Sequence, residues 1–225
     1  MQRLFLSVMF CLFFVLETIG ATPQAEVVVF DFGGVIGNAN AIPVMNFMSQ
    51  NLHVDRAKGI AIFQDLQKAT SNETSEKEFW KKYALNHGLD LPSNWDEQLD
   101  NVLRKAMTMV PGTIHVIEEL EAKGYRLALL SNITEFQAKI IGKLGYYRFF
   151  NPVLLSYQLG VEKPASQAYK KMIKILDVDS SKILFIDDRK SNVKAAKKEG
   201  IDTILFKNSH QLRKALNKRG FNLGG

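Results

Sequence analysis

Cysteine is nearly absent from this chain of 225 residues; the single one, Cys11, sits in the most apolar stretch of the sequence. That stretch, residues 4–16 (LFLSVMFCLFFVL), follows Arg3 and is followed by the small residues Gly20 and Ala21. A basic start, an apolar middle and a small-residue exit are the parts of a secretory signal peptide. The run is shorter than the roughly 20 apolar residues needed to span a bilayer. The expectation is therefore a signal peptide over residues 1–21, an exported protein (periplasmic or secreted), and no stable membrane span once the signal is removed. Residues 22–225 then contain no cysteine. This excludes a disulfide scaffold, thiolate metal sites and cysteine catalysis.

Other absences narrow the field further. There is no low-complexity segment, no internal repeat and no G-x-x-x-x-G-K-[ST] loop, so a P-loop NTPase is excluded. A G-x-G-x-x-G reading of Gly34 and Gly37 fails because position 32 is Phe. Asp31-Phe32-Gly33 matches a kinase element, but no H-R-D loop accompanies it. The histidines at 53, 87, 115 and 210 show no metal-ligand spacing. Charge is not balanced: the formal net charge is +6, and much of the basic excess falls between residues 170 and 219. Those lysines lie on helical patterns as a solvated face, without a nucleic-acid motif. Nucleic acid is not expected as a partner, whereas a small phosphorylated substrate suits the basic surface.

What is present is a regular alternation. Residues 26–32 (EVVVFDF) read as a buried strand that ends in the turn Gly33-Gly34. Residues 38–110 change character, with apolar residues three and four apart in four successive helical patterns. Ser75 before Glu76 and Glu78 reads as a helix start, and Gly88 as its end. From Pro111 onward, strands at 126–131, 152–156, 182–187 and 203–206 alternate with helices that stop at Gly124, Gly145 and Gly200. Such alternation gives βαβ units and a parallel sheet covered on both faces. The first strand belongs to that sheet, so the helical block is an insertion. The expected division is 22–37 and 111–225 as an α/β core, with 38–110 inserted.

In an open α/β sheet, ligands bind beyond the carboxyl ends of the strands. Those ends carry Asp31, then Ser131 and Asn132, then Lys163 in GVEKP, then Asp187 and Asp188. Singly, each has an ordinary reading: Asp188 or Ser131 as a helix cap, Lys163 as a surface lysine. Together they place three carboxylates, a hydroxyl, an amide and an ammonium along one edge.

This ordered set resembles the haloacid dehalogenase (HAD) superfamily of hydrolases, across the whole of residues 22–225. Asp31 in VVVFDFGGVI matches the family's nucleophile, Ser131 in LALLSN its second motif, Lys163 its third, and Asp187-Asp188 its acidic pair. The resemblance implies a Rossmannoid core with an inserted α-helical cap, and a phosphatase acting through an aspartyl-phosphate on Asp31. It also implies Mg²⁺ held by Asp31, the Gly33 carbonyl and Asp188, with Asp187 as a ligand or as a group behind the ligands. Lys163, the Ser131 hydroxyl and the Asn132 backbone N–H would bind the phosphoryl oxygens. A carboxylate nucleophile facing a phosphate dianion needs such counter-charge.

The sequence departs from the family at one position. A second aspartate usually stands two residues after the nucleophile, as the general acid; here that position is Gly33. General acid–base catalysis contributes about 10²–10⁴-fold. Three outcomes follow: another group, such as a water, His53 or His87, replaces it; the substrate has a good leaving group, such as an acyl or anomeric phosphate; or the protein is a weak or inactive relative that binds without catalysis. A 2-haloacid dehalogenase uses the same aspartate without a metal, and the acidic pair argues against it.

Overall fold

The computed structural model describes residues 25–70 and 75–224. The expected signal peptide therefore lies outside the described residues. The elements run in the order β1 (Val27–Phe30), β2 (Gly37–Ala39), α1 (Ala41–Leu52), α2 (Arg56–Thr70), α3 (Glu76–His87), α4 (Trp95–Ala106), β3 (Met107–Met109), α5 (Pro111–Ala122), β4 (Arg126–Ser131) and α6 (Glu135–Lys143). They continue with β5 (Val153–Leu155), α7 (Ser156–Leu159), α8 (Ser166–Leu176), β6 (Ile183–Asp187), α9 (Lys190–Lys198), β7 (Asp202–Leu205) and α10 (Ser209–Asn217).

Five strands form one sheet in the order β5-β4-β1-β6-β7, and every pair is parallel. Successive side chains of a strand point to opposite faces. Val28 and Phe30 of β1 thus join Leu129, Ile186 and the apolar sides of α5 and α10, while Val27 and Val29 join Leu130, Phe185, Tyr169 and Met172 on the other face. Burial on both faces explains the unbroken apolar runs VVVF of β1 and ILFI of β6. Each fully buried side chain of this kind contributes about 1.5–3 kcal/mol.

β1 lies at the centre, and the chain passes to β4 on one side before β6 takes the other. The order of strands reverses beside β1, which places the crevice of an open α/β sheet between the ends of β1 and β6. Asp31 follows the first of these strands, and Asp187 ends the second.

The helices α1–α4 gather around a third apolar cluster that includes Met48, Leu52, Trp80, Trp95 and Leu99. Their amphipathic spacing was legible, and α3 opens on a complete capping box between Ser75 and Glu78 and closes on Gly88 at φ 60°. The antiparallel pair β2 and β3, absent from the sequence reading, flanks this insert. No helix among the described residues is long and apolar enough to cross a membrane.

Candidate active site

Asp31 directly follows β1, and its backbone N–H still donates to the Ile186 carbonyl, so the ladder fixes where the side chain starts. The side chain is 9% exposed. Its Oδ1 accepts from the Phe32 N–H at 2.8 Å and pairs with Lys163 Nζ at 2.8 Å. Oδ2 takes part in neither bond. Burial, opposed by Lys163 and reinforced by the charge of Asp187, pushes the Asp31 carboxyl up to about 6.

Lys163 is the buried cation of the site, and its ammonium bridges Asp31 Oδ1 and Asp187 Oδ2, each at 2.8 Å. The loop that carries it is fastened by Asn132. The Asn132 Nδ2 donates to the Lys163 carbonyl at 2.7 Å, and the Lys163 N–H donates to Asn132 Oδ1 at 2.9 Å. The end of β4 thus positions a lysine that follows a separate strand.

Asp187 is fully buried. Besides Lys163, it accepts from the Arg189 N–H at 2.8 Å and from Asn192 Nδ2 at 3.1 and 3.0 Å. The Asn192 carbonyl in turn accepts from the Tyr169 hydroxyl at 3.0 Å. Asp187 is therefore the anchor behind the site, while Asp188 is exposed and faces the pocket. Burial, with the charge of Asp187 beside it, raises the Asp188 carboxyl above its ordinary value.

A pocket of about 280 Å³ opens over these groups, lined by Asp31, Gly33, Gly34, Asn38, Asn132, Lys163, Asp188, Arg189 and Asn192. Five of the seven expected residues line it. Asp187 supports it from behind, and Ser131, buried at the end of β4, is not among the lining residues. Sequence reasoning missed Asn38, Arg189 and Asn192. The spacing of Asn192 from Asp187, across the first turn of α9, was the one available signal.

The two glycines of the turn differ. Gly34 has φ +74°, and a Cβ there would stand 2.3 Å from Asp188 Oδ2. At Gly33 a Cβ would meet nothing within 4 Å. Gly34 makes room for a carboxylate; Gly33 leaves open space at the position two residues after Asp31.

One oxygen each of Asp31, Asp187 and Asp188 lie within 4.8 Å of one another. Three carboxylates around one buried ammonium leave negative charge that calls for a hard cation, and oxygen-only donors suit Mg²⁺. The residues present therefore fit that ion.

Residues 28–206 match the sequence profile of the family described as haloacid dehalogenase-like hydrolase. Among curated proteins, the chain is similar to a D-ribitol-5-phosphate phosphatase of Bacteroides thetaiotaomicron, 28% identical over 208 residues, covering 84% of this chain and 95% of that protein. It is also similar to a ribulose-1,5-bisphosphate 5-phosphatase of Halopiger xanaduensis, 31% identical over 107 residues. That match covers 47% of this chain and only 45% of the relative. A solved HAD family enzyme of Bacteroides thetaiotaomicron, in complex with magnesium and inorganic phosphate, shares the fold with a TM-score of 0.67 and 22% identity, over 82% of this chain and 95% of that one.

Proposed function

This chain belongs to the haloacid dehalogenase-like hydrolases, and from that premise we propose that it is a Mg²⁺-dependent phosphatase of small phosphorylated metabolites. The observation that carries this reading is the buried Asp31–Lys163–Asp187 ionic triad beneath an open polar pocket, with Asp188 at its edge. The phosphatase relatives and the magnesium and phosphate in the solved neighbour support it.

In this reading Asp31 is the nucleophile. Lys163 holds the Asp31 carboxylate in one orientation and offers positive charge to the phosphoryl oxygens, with Ser131 and Asn132 at the adjacent strand end. Asp31, the Gly33 carbonyl and Asp188 would hold the Mg²⁺, with Asp187 behind them. When bound, the ion offsets repulsion between carboxylate and phosphate and polarises the phosphoryl group. Attack by Asp31 gives an aspartyl-phosphate, which water hydrolyses. The helical insert serves as a cap over the pocket, and the apolar start of the chain supports export.

The test is hydrolysis of an aryl phosphate by the purified protein, with and without Mg²⁺. Turnover should require the ion and vanish in Asp31→Asn. A folded protein with no Mg²⁺-dependent turnover across a broad phosphate panel would overturn the assignment.

A further inference from the structure

The structure narrows the outcomes left open by Gly33. The ionisable groups lining the pocket are Asp31, Lys163, Asp188 and Arg189. Asp31 and Asp188 belong to the carboxylate cluster that suits the cation. Lys163 is already bonded to two carboxylates, and a guanidinium does not release its proton. The remaining lining residues are Gly33, Gly34 and the amides Asn38, Asn132 and Asn192. Neither histidine proposed as a substitute is there. His87 stacks on Tyr83 at 4.0 Å with its Nδ1 at the Tyr83 carbonyl, and His53 is the exposed cap at the end of α1. Among the described residues lining the pocket, no group is placed to protonate a departing alkoxide.

Resting on the phosphatase reading, we propose that this site acts on phosphates whose leaving group departs as a stable anion, acyl phosphates foremost, and acts poorly on alkyl phosphomonoesters. A carboxylate has a pKa of about 4 and leaves unprotonated at neutral pH, whereas an alkoxide must be given a proton. In the first step an Asp31 oxygen bonds to phosphorus while the bond from phosphorus to the acyl oxygen breaks. Its electron pair leaves on the carboxylate, and no proton moves. In the second step water bonds to phosphorus and the bond to Asp31 breaks, which returns the pair to the Asp31 carboxylate. The water proton goes to the departing phosphate. Among the described residues the lining contributes no aromatic ring and no aliphatic side chain, so the acyl part is small or polar.

The experiment compares kcat/KM for acetyl phosphate, a series of aryl phosphates, glucose 1-phosphate and ribitol 5-phosphate, all with Mg²⁺, in the wild type, Gly33→Asp and Asn38→Asp. The wild type should fall steeply along the aryl series as the leaving group becomes more basic, and should favour acetyl phosphate over ribitol 5-phosphate. Gly33→Asp has open space for its side chain and should narrow that preference by about 10²–10⁴-fold. Asn38→Asp offers a carboxyl from β2 and should narrow it in the same direction. The slope of the wild type along the aryl series decides the matter even where a variant fails to fold. A shallow slope, or wild-type turnover of ribitol 5-phosphate within tenfold of acetyl phosphate, overturns the inference and leaves the phosphatase reading intact. A folded Gly33→Asp with an unchanged preference also overturns it. No turnover of any phosphate overturns both.

Discussion

Gly33 and Gly34 are neighbours with opposite tolerances. Gly34→Ala meets both a left-handed backbone and the Asp188 carboxylate, so it should destabilise the fold by about 1–3 kcal/mol and weaken Mg²⁺ binding. Gly33→Ala meets nothing and should leave the melting temperature nearly unchanged. Thermal denaturation with and without Mg²⁺ checks both. Asp31 yields a pH prediction. Its carboxyl is raised from 3.8 to about 6, mainly by burial and with a contribution from Asp187, so the nucleophilic form fills only as pH climbs through that value. Mg²⁺ affinity and kcat/KM should both rise across that range; a flat profile would contradict the assignment. The sign for stability is opposite. Between these two pKa values the folded metal-free protein binds more protons than the unfolded chain, so this group's contribution to stability falls as pH rises. Asp31 and Asp188 were legible in the sequence because each follows directly on an apolar strand run, and Lys163 because it stands in GVEKP between β5 and α8. Asn38 and Arg189 were not, because only the folded chain brings a flanking ribbon and a helix start to the same wall.

At the scale of elements, the clasp between Asn132 and the Lys163 backbone is the joint on which the site depends. Asn132→Ala removes a donor and an acceptor and leaves the two Lys163 backbone groups without those partners. The expected cost is about 1–3 kcal/mol, with a fall in kcat as the ammonium loses its fixed position. Denaturant unfolding and steady-state kinetics on one preparation separate the two effects. The sheet strands and every helix but the four-residue α7 were legible from periodicity and from punctuation such as the Ser75–Glu78 box and Gly88. β2 and β3 were not. Their sequences, GNA and MTM, are three residues long and lack a β-branched run, so they exist as strands only through each other.

Over the whole molecule, two apolar clusters cover the sheet, and a third holds the insert together. Trp80 is almost wholly buried in the third, edge-on to Trp95 and Phe79. Trp80→Ala should remove about 3–5 kcal/mol from the insert. Hydrogen exchange should then show α1–α4 losing protection while β1, β4 and β6 keep theirs; uniform loss would show a single cooperative unit instead. The two places where the chain crosses between sheet and insert lie side by side, with Ala39 opposite Met107 and Gly37 opposite Met109. Two antiparallel ends so placed can be joined by a two-residue Asn-Gly turn. The insert is thus a detachable module in engineering terms: a shortened chain that replaces everything between Ala39 and Met107 with such a hairpin keeps every strand of the parallel sheet. Foreign modules could be grafted at the same socket without recutting the sheet edge that carries Asp31 and Asp187.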